Sequence, residues 1–206
     1  MLAIALLPAA LLFQAVFHAT IDQVGILRIL LLCLTASIGY FIFGLSLIVV
    51  TALVRFLFRL ELSEGTYPMF SLGSVRWAIT NALQLLIWIT FGDFILLTPF
   101  ASLVYRLMGA KLGRNVQINS KFCGDLSLLE IGDGSVIGGH ATVIAHSFER
   151  KGLVLKKVRI GRQVVVGLNA IVLWLPPERL CLNIPKYKPV PFLWRATRIR
   201  RGIQRN

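Results

Sequence analysis

Cysteine is scarce in this chain. Its three residues, Cys33, Cys123 and Cys181, are scattered and form no Cys-x-x-Cys pair. That pattern points to neither a disulfide framework nor a thiolate zinc site. Histidine is equally scarce, with His18, His140 and His146 among 206 residues. A three-histidine metal centre would have to recruit His18 from a stretch built for lipid, so no metal is expected. Acidic residues number nine against 22 Lys and Arg. In the first half, charge of either sign nearly vanishes. Residues 1–105 carry Arg28, Arg55, Arg59 and Arg76 against Asp22, Glu61, Glu64 and Asp93. The formal net charge of +13 therefore belongs entirely to residues 106–206. Such a basic half suits anionic headgroups or the phosphates of a nucleotide-bearing donor. No nucleic-acid fold signature accompanies it, and no nucleic-acid partner is expected.

Long uncharged runs fill the first half. Met1 to Phe17 has no charge and is just long enough to span a bilayer. A signal peptide is the competing reading, but the basic segment that should precede its apolar core is missing. Ile29 to Val54 is the strongest span and must be helical, because hydrocarbon offers no partner to a free peptide group. Gly39 and Gly44 within it suit close helix packing. Residues 77–105 are long enough to cross but contain Gly92-Asp93 and Pro99. The loop bearing Arg55, Arg59 and Arg76 and the basic second half should both be cytoplasmic. The stretch between them must then cross an even number of times. It reads as two short helices, about 77–91 and 94–108, forming a re-entrant or in-plane hairpin with Asp93 capping the turn or meeting headgroups. Helices are thus expected over about 1–18 and 26–56, with the hairpin over 77–108.

The second half has an internal period. Aliphatic residues recur six apart at Leu112 and Ile118, at Ile131, Ile137 and Val143, and at Val154, Ile160, Val166 and Val172. Gly follows at positions 113, 132, 138, 161 and 167. Neither a 3.6 nor a 2.0 period holds Gly at a fixed phase of six. Six residues make a short strand and a corner, with the aliphatic side chain inward and Gly supplying the corner's backbone angles. Steps of 13 (118 to 131) and 11 (143 to 154) mark a bulge and a loop around 148–153.

These blocks resemble the hexapeptide-repeat, left-handed parallel β-helix, over residues 109–175. A narrower resemblance runs upstream. Arg55-Phe-Leu-Phe-Arg59, Gly65-Thr-Tyr-Pro, Ser74-Val-Arg-Trp77, Tyr105-Arg-Leu-Met-Gly-Ala-Lys-Leu-Gly113, Glu130-Ile-Gly-Asp-Gly and Ala141-Thr-Val-Ile-Ala-His-Ser-Phe-Glu149 stand in order. Together they look like the membrane-associated terminal domain of some nonribosomal peptide synthetases, and like stand-alone acyltransferases of that type. The resemblance implies transfer of an acyl group, acetyl above all, from acyl-CoA to a hydroxyl or amine acceptor. It also implies a homo-trimer as the usual assembly. A site tethered at the bilayer would favour a lipid-linked acceptor, with the β-helix on the cytoplasmic side.

Acyl transfer needs a base for the acceptor's proton, and imidazole suits that task near neutral pH. The resemblance places His146 in that role, with Glu149 orienting its ring or receiving the amine. Lys156, Lys157, Arg159 and Arg162 are candidates for the donor's phosphates; a solvated basic edge explains them equally well. His140 shares the phase of His146 on a neighbouring face, which makes the pair a poor metal site. Asp125, Glu130 and Asp133 read as corner and cap residues, and Trp174 as packing.

After Val172 the pattern stops at Leu-Trp-Leu-Pro-Pro-Glu. The coils that close such a β-helix and help bind CoA are expected to be missing. The tail, 176–206, is basic and carries Pro185, Pro189 and Pro191 with five Arg near its end. It would cap the open edge, lie on the membrane or be disordered. The alternative to an enzyme is a non-catalytic hexapeptide-repeat membrane scaffold.

Overall fold

The computed structural model describes residues 1–23 and 25–174. The expected tail and the last expected repeat residue, Leu175, lie outside them. Long apolar helices come first and small parallel sheets follow. Helix α1 is Leu2–Ala19 and α2 is Ile26–Leu57. They pack through small residues: Ala5 and Ala9 are buried, and a Cβ on Gly39 would rest 3.6 Å from that of Ala9. Gly44 makes room for Phe91, whose ring would collide with any side chain there.

Helix α3, Leu72–Ile87, opens with the Ser71 hydroxyl accepting from Ser74 N–H. A single π turn, Trp88–Gly92, and a short α4, Asp93–Ile95, prolong it. The Tyr40 hydroxyl donates to the Thr90 carbonyl at 2.6 Å within that turn. The expected break at Asp93 is therefore corrected: helical backbone runs through it. Proline, rather than glycine, sets the break, because the residue before proline is pushed out of the α region. Leu97 takes a left-handed φ of 67°. The Thr98 hydroxyl then accepts from Phe100 N–H and Pro99 is the first residue of α5, Pro99–Leu107. Leu2–Ala19, Ile26–Leu57 and Leu72–Ile95 are each long and apolar enough to cross a membrane.

Eleven strands are described. Strand β1, Gly65–Tyr67, lies between α2 and α3. Strands β2 (Lys111–Leu112), β4 (Leu129–Ile131) and β9 (Val158–Ile160) form one parallel sheet. Strands β3 (Gln117–Ile118), β5 (Val136–Ile137) and β10 (Val165–Val166) form a second. Strand β6 (Thr142–Ile144) pairs with β11 (Ile171–Leu173), and a bridge adds Cys123 beside Val143. The registers align Leu112 with Ile131 and Ile160, Ile118 with Ile137 and Val166, and Cys123 with Val143 and Val172. All but the partly buried Val172 are in the core.

Two parts of the repeat reading change. Left-handed residues at the corners, Asn115, Gly134, His140, Gln163 and Asn169, stand three places after Leu112, Ile131, Ile137, Ile160 and Val166. Three of the phased glycines, Gly113, Gly132 and Gly138, answer a different need, close stacking: a Cβ on Gly132 would meet the backbone of Gly161 at 2.7 Å, and one on Gly138 that of Val166. Val154 is not in the parallel stacks. The expected loop is an antiparallel hairpin of β7 (His146–Glu149) and β8 (Gly152–Leu155), to which β1 adds a third strand. All of Gly152–Leu155 is buried, so a buried aliphatic falls at position 154 and coincides with the phase of six.

The helices and sheets share one core. The Tyr105 hydroxyl donates to Ser120 O at 2.6 Å. Arg55, at the end of α2, donates to Leu107 O and Ser127 Oγ. Truncating the fully buried Ile137 to Ala should cost about 3 kcal/mol, read as a lower thermal midpoint in detergent. The same change at exposed Ile171 should stay within about 0.5 kcal/mol.

Candidate functional site

The centre is a carboxylate that sequence reading assigned to a corner. Asp125 does sit at one, with φ 53° between Gly124 and a 3₁₀ turn, Leu126–Leu128. Its side chain has no exposed surface. Four donors meet it. Trp77 Nε1–H donates to Oδ1 at 2.7 Å and Asn81 Nδ2–H at 3.1 Å. Ala145 N–H donates to Oδ2 at 3.1 Å, and His146 Nδ1 lies 2.6 Å from the same oxygen.

Helix α3 supplies two of these donors because of its periodicity. Trp77, Asn81 and Gln84 stand at i, i+4 and i+7, hence on one face. Gln84 Nε2–H completes the row by donating to Cys123 O. The first strand of the hairpin supplies the others, since Ala145 and His146 are consecutive at its start.

Burial pushes the Asp125 carboxyl up, but the hydrogen bond and charge of His146, with Asn81 and Trp77, outweigh it. The net position is below the usual carboxylate range. An ionised carboxylate only accepts, so Nδ1 carries a proton, and in the neutral imidazole the lone pair is on Nε2. The His146 side chain is 23% exposed, and aromatic rings flank it. Trp77 is edge-on at 4.9 Å and Phe148 at 5.7 Å, with 5.5 Å between those two. The result is a fixed, partly wetted imidazole with a buried counter-charge and apolar walls. That is a base suited to a proton on a bound nucleophile.

The other sequence candidates are placed differently. Glu149 ends β7 opposite Gly152, and the ring-orienting role falls to Asp125. Lys156 is the nearest basic candidate along the backbone: its N–H donates to Ala145 O, and its ammonium lies 3.6 Å over the Trp174 ring. Trp174 thus holds a cation as well as packing. Lys157 N–H donates to Glu64. Arg159 pairs with Glu130 at 3.0 Å on the β2–β4–β9 sheet, and Arg162 with Asp133 at 3.5 Å at a corner. Neither arginine is on the hairpin that carries His146. His140 occupies a left-handed corner with its ring against Phe122. Asp93 pairs with Lys121 at 2.6 Å. Among the described residues, no three His, Cys, Asp or Glu side chains gather as a metal site requires.

Sequence reasoning missed Asp125, Trp77 and Asn81. The available signal was the row at 77, 81 and 84 on one face of the helix, since polar groups that become buried need partners.

Part of the chain is similar to Delta-poly-L-ornithine synthetase of Acinetobacter baumannii (strain AB307-0294), with 28% identity over 130 residues. The match covers 62% of this chain and 9% of that protein. No protein-family model and no solved structure matches the chain.

The Asp125 carboxylate has a definite pH signature. Its folded value is depressed, so its stabilisation is complete above the ordinary carboxyl value of about 3.9. It is lost as pH falls through the lower folded value. Asp125→Asn should be less stable than the unaltered chain by about 3 kcal/mol near pH 7. The gap should narrow below about pH 3.9 in thermal unfolding; a gap unchanged down to pH 3 would contradict the assignment.

Proposed function

We propose that this chain is a membrane-bound acyltransferase whose His146 activates a hydroxyl or amine acceptor for attack on an acyl thioester such as acetyl-CoA. The observation that carries this reading is His146 held through Nδ1 by buried Asp125, its side chain partly exposed beside Trp77 and Phe148. We further propose that the three parallel sheets are the faces of a left-handed β-helix. One inward aliphatic or Cys side chain per strand, in aligned register, supports this.

The proposed reaction would use this arrangement. Nε2 takes the acceptor's proton as its oxygen or nitrogen bonds to the thioester carbonyl carbon. The tetrahedral intermediate collapses by breaking its C–S bond, and the leaving thiolate takes the proton back from Nε2. Asp125 stays ionised throughout and balances the transient imidazolium. Lys156, beside the start of the hairpin, is the first candidate for a donor phosphate; Lys157, Arg159 and Arg162 follow. Arg55, Arg59 and Arg76, around the α2–α3 connection, and the basic second half favour the cytoplasmic side. The similarity to a poly-ornithine synthetase supports an amine as acceptor, with ornithine the first to try. A lipid-linked acceptor and a trimeric assembly belong to the same proposal.

Thiol release from acetyl-CoA, by purified protein in lipid with ornithine and other amines or hydroxyls, tests it. His146→Ala should lower the rate by about 10²–10⁴-fold. Equal rates would remove His146 from the mechanism, and no acetyl-CoA binding at millimolar concentration would favour the non-catalytic scaffold.

A further inference from the structure

Helix α3 and its extension to Ile95 qualify as a span by length and composition, yet their neighbours argue otherwise. One face is occupied along its length by the second half of the chain. Trp77 and Asn81 bond to Asp125, Gln84 to Cys123, and Asp93 to Lys121. From Trp77 to Asp93 the helix rises about 24 Å. The opposite face is bare and apolar: Leu72, Val75, Ile79, Leu85 and Ile89 are all exposed. Met69 and Phe70 extend this strip before the helix, and Phe94 and Leu97 after it; Phe70 is 99% exposed.

A strip of this extent, backed by a polar domain, is the pattern of an interfacial helix. Chain length excludes the crossing. Lys121 is four residues from Asp125 and so within about 14 Å of it along the chain. A hydrocarbon core is about 30 Å thick. If α3 crossed with Trp77 near one surface, the Asp93–Lys121 pair would be left inside hydrocarbon, where charges are costly.

We infer that α3 does not cross the bilayer. Its outer face is set into the headgroup and acyl boundary, it carries the sheets on its inner face, and Arg76 and the Asp93–Lys121 pair share one aqueous side. The His146 centre then stands about one helix diameter, roughly 10 Å, from the lipid boundary.

Sidedness tests this with the full chain, Cys33, Cys123 and Cys181 first replaced, in sealed vesicles of one orientation. Single cysteines are placed by Arg76→Cys and Lys121→Cys, with Arg114→Cys marking the sheets. All three should react with a membrane-impermeant maleimide from the same side. Labelling of positions 76 and 121 from opposite sides would overturn the inference. Bimane at Ile79→Cys and Leu85→Cys gives an independent reading. Headgroup-proximal nitroxide lipids should quench both; quenching of both by aqueous iodide alone would overturn it as well.

Discussion

A carboxylate cut off from water has to be met by donors or it does not stay ionised. Asp125 is met by four, from α3 and from the start of the β7–β8 hairpin. Those segments are distant in sequence, and the carboxylate requires all of them at once. The helix docks on the sheets where Trp77 and Asn81 reach it, and the hairpin leaves the stack where His146 reaches it. Removing one donor leaves charge uncompensated, which costs more than the bond itself returns. A single buried charge therefore sets the relation of the lipid-facing half to the stacked half, and also fixes the tautomer that leaves Nε2 available.

The stacks supply the frame for that charge. Aligned inward residues such as Ile118, Ile137 and Val166 exclude water from the interior. Gly132 and Gly138 allow successive strands to approach closely. The frame positions Cys123 and Val143 side by side. Asp125 and Ala145 follow each of them by two residues, which is how the carboxylate and the backbone donor meet.

Much of this was legible in the chain. Charge-free runs marked α1 and α2, because hydrocarbon forbids both charge and unpaired peptide groups. The phase of six marked the parallel strands, because each contributes one inward side chain, and several are followed by a glycine. Other features were hidden for physical reasons. Val154 keeps the period only because the whole of β8 is buried and aliphatic, so the start of the hairpin's second strand read as a repeat. Pro99 ended the helix rather than Gly92-Asp93, since Asp93 has Lys121 as a partner. Asp125 resembles any turn residue, and its pairing with His146 spans 21 places along the chain. His146 itself was found through a resemblance; its geometry depends on residues that the resemblance did not single out.

The tautomer of His146 is the most direct measure of this account. Nitrogen-15 spectra of histidine-labelled protein, with His146→Gln to assign the signals, should be taken near pH 9, where an ordinary imidazole is neutral. The account predicts a protonated Nδ1 and an unprotonated, exposed Nε2, the latter shifting to a protonated signal when Asp125 is changed to Asn. A proton on Nε2 in the unaltered chain would contradict it.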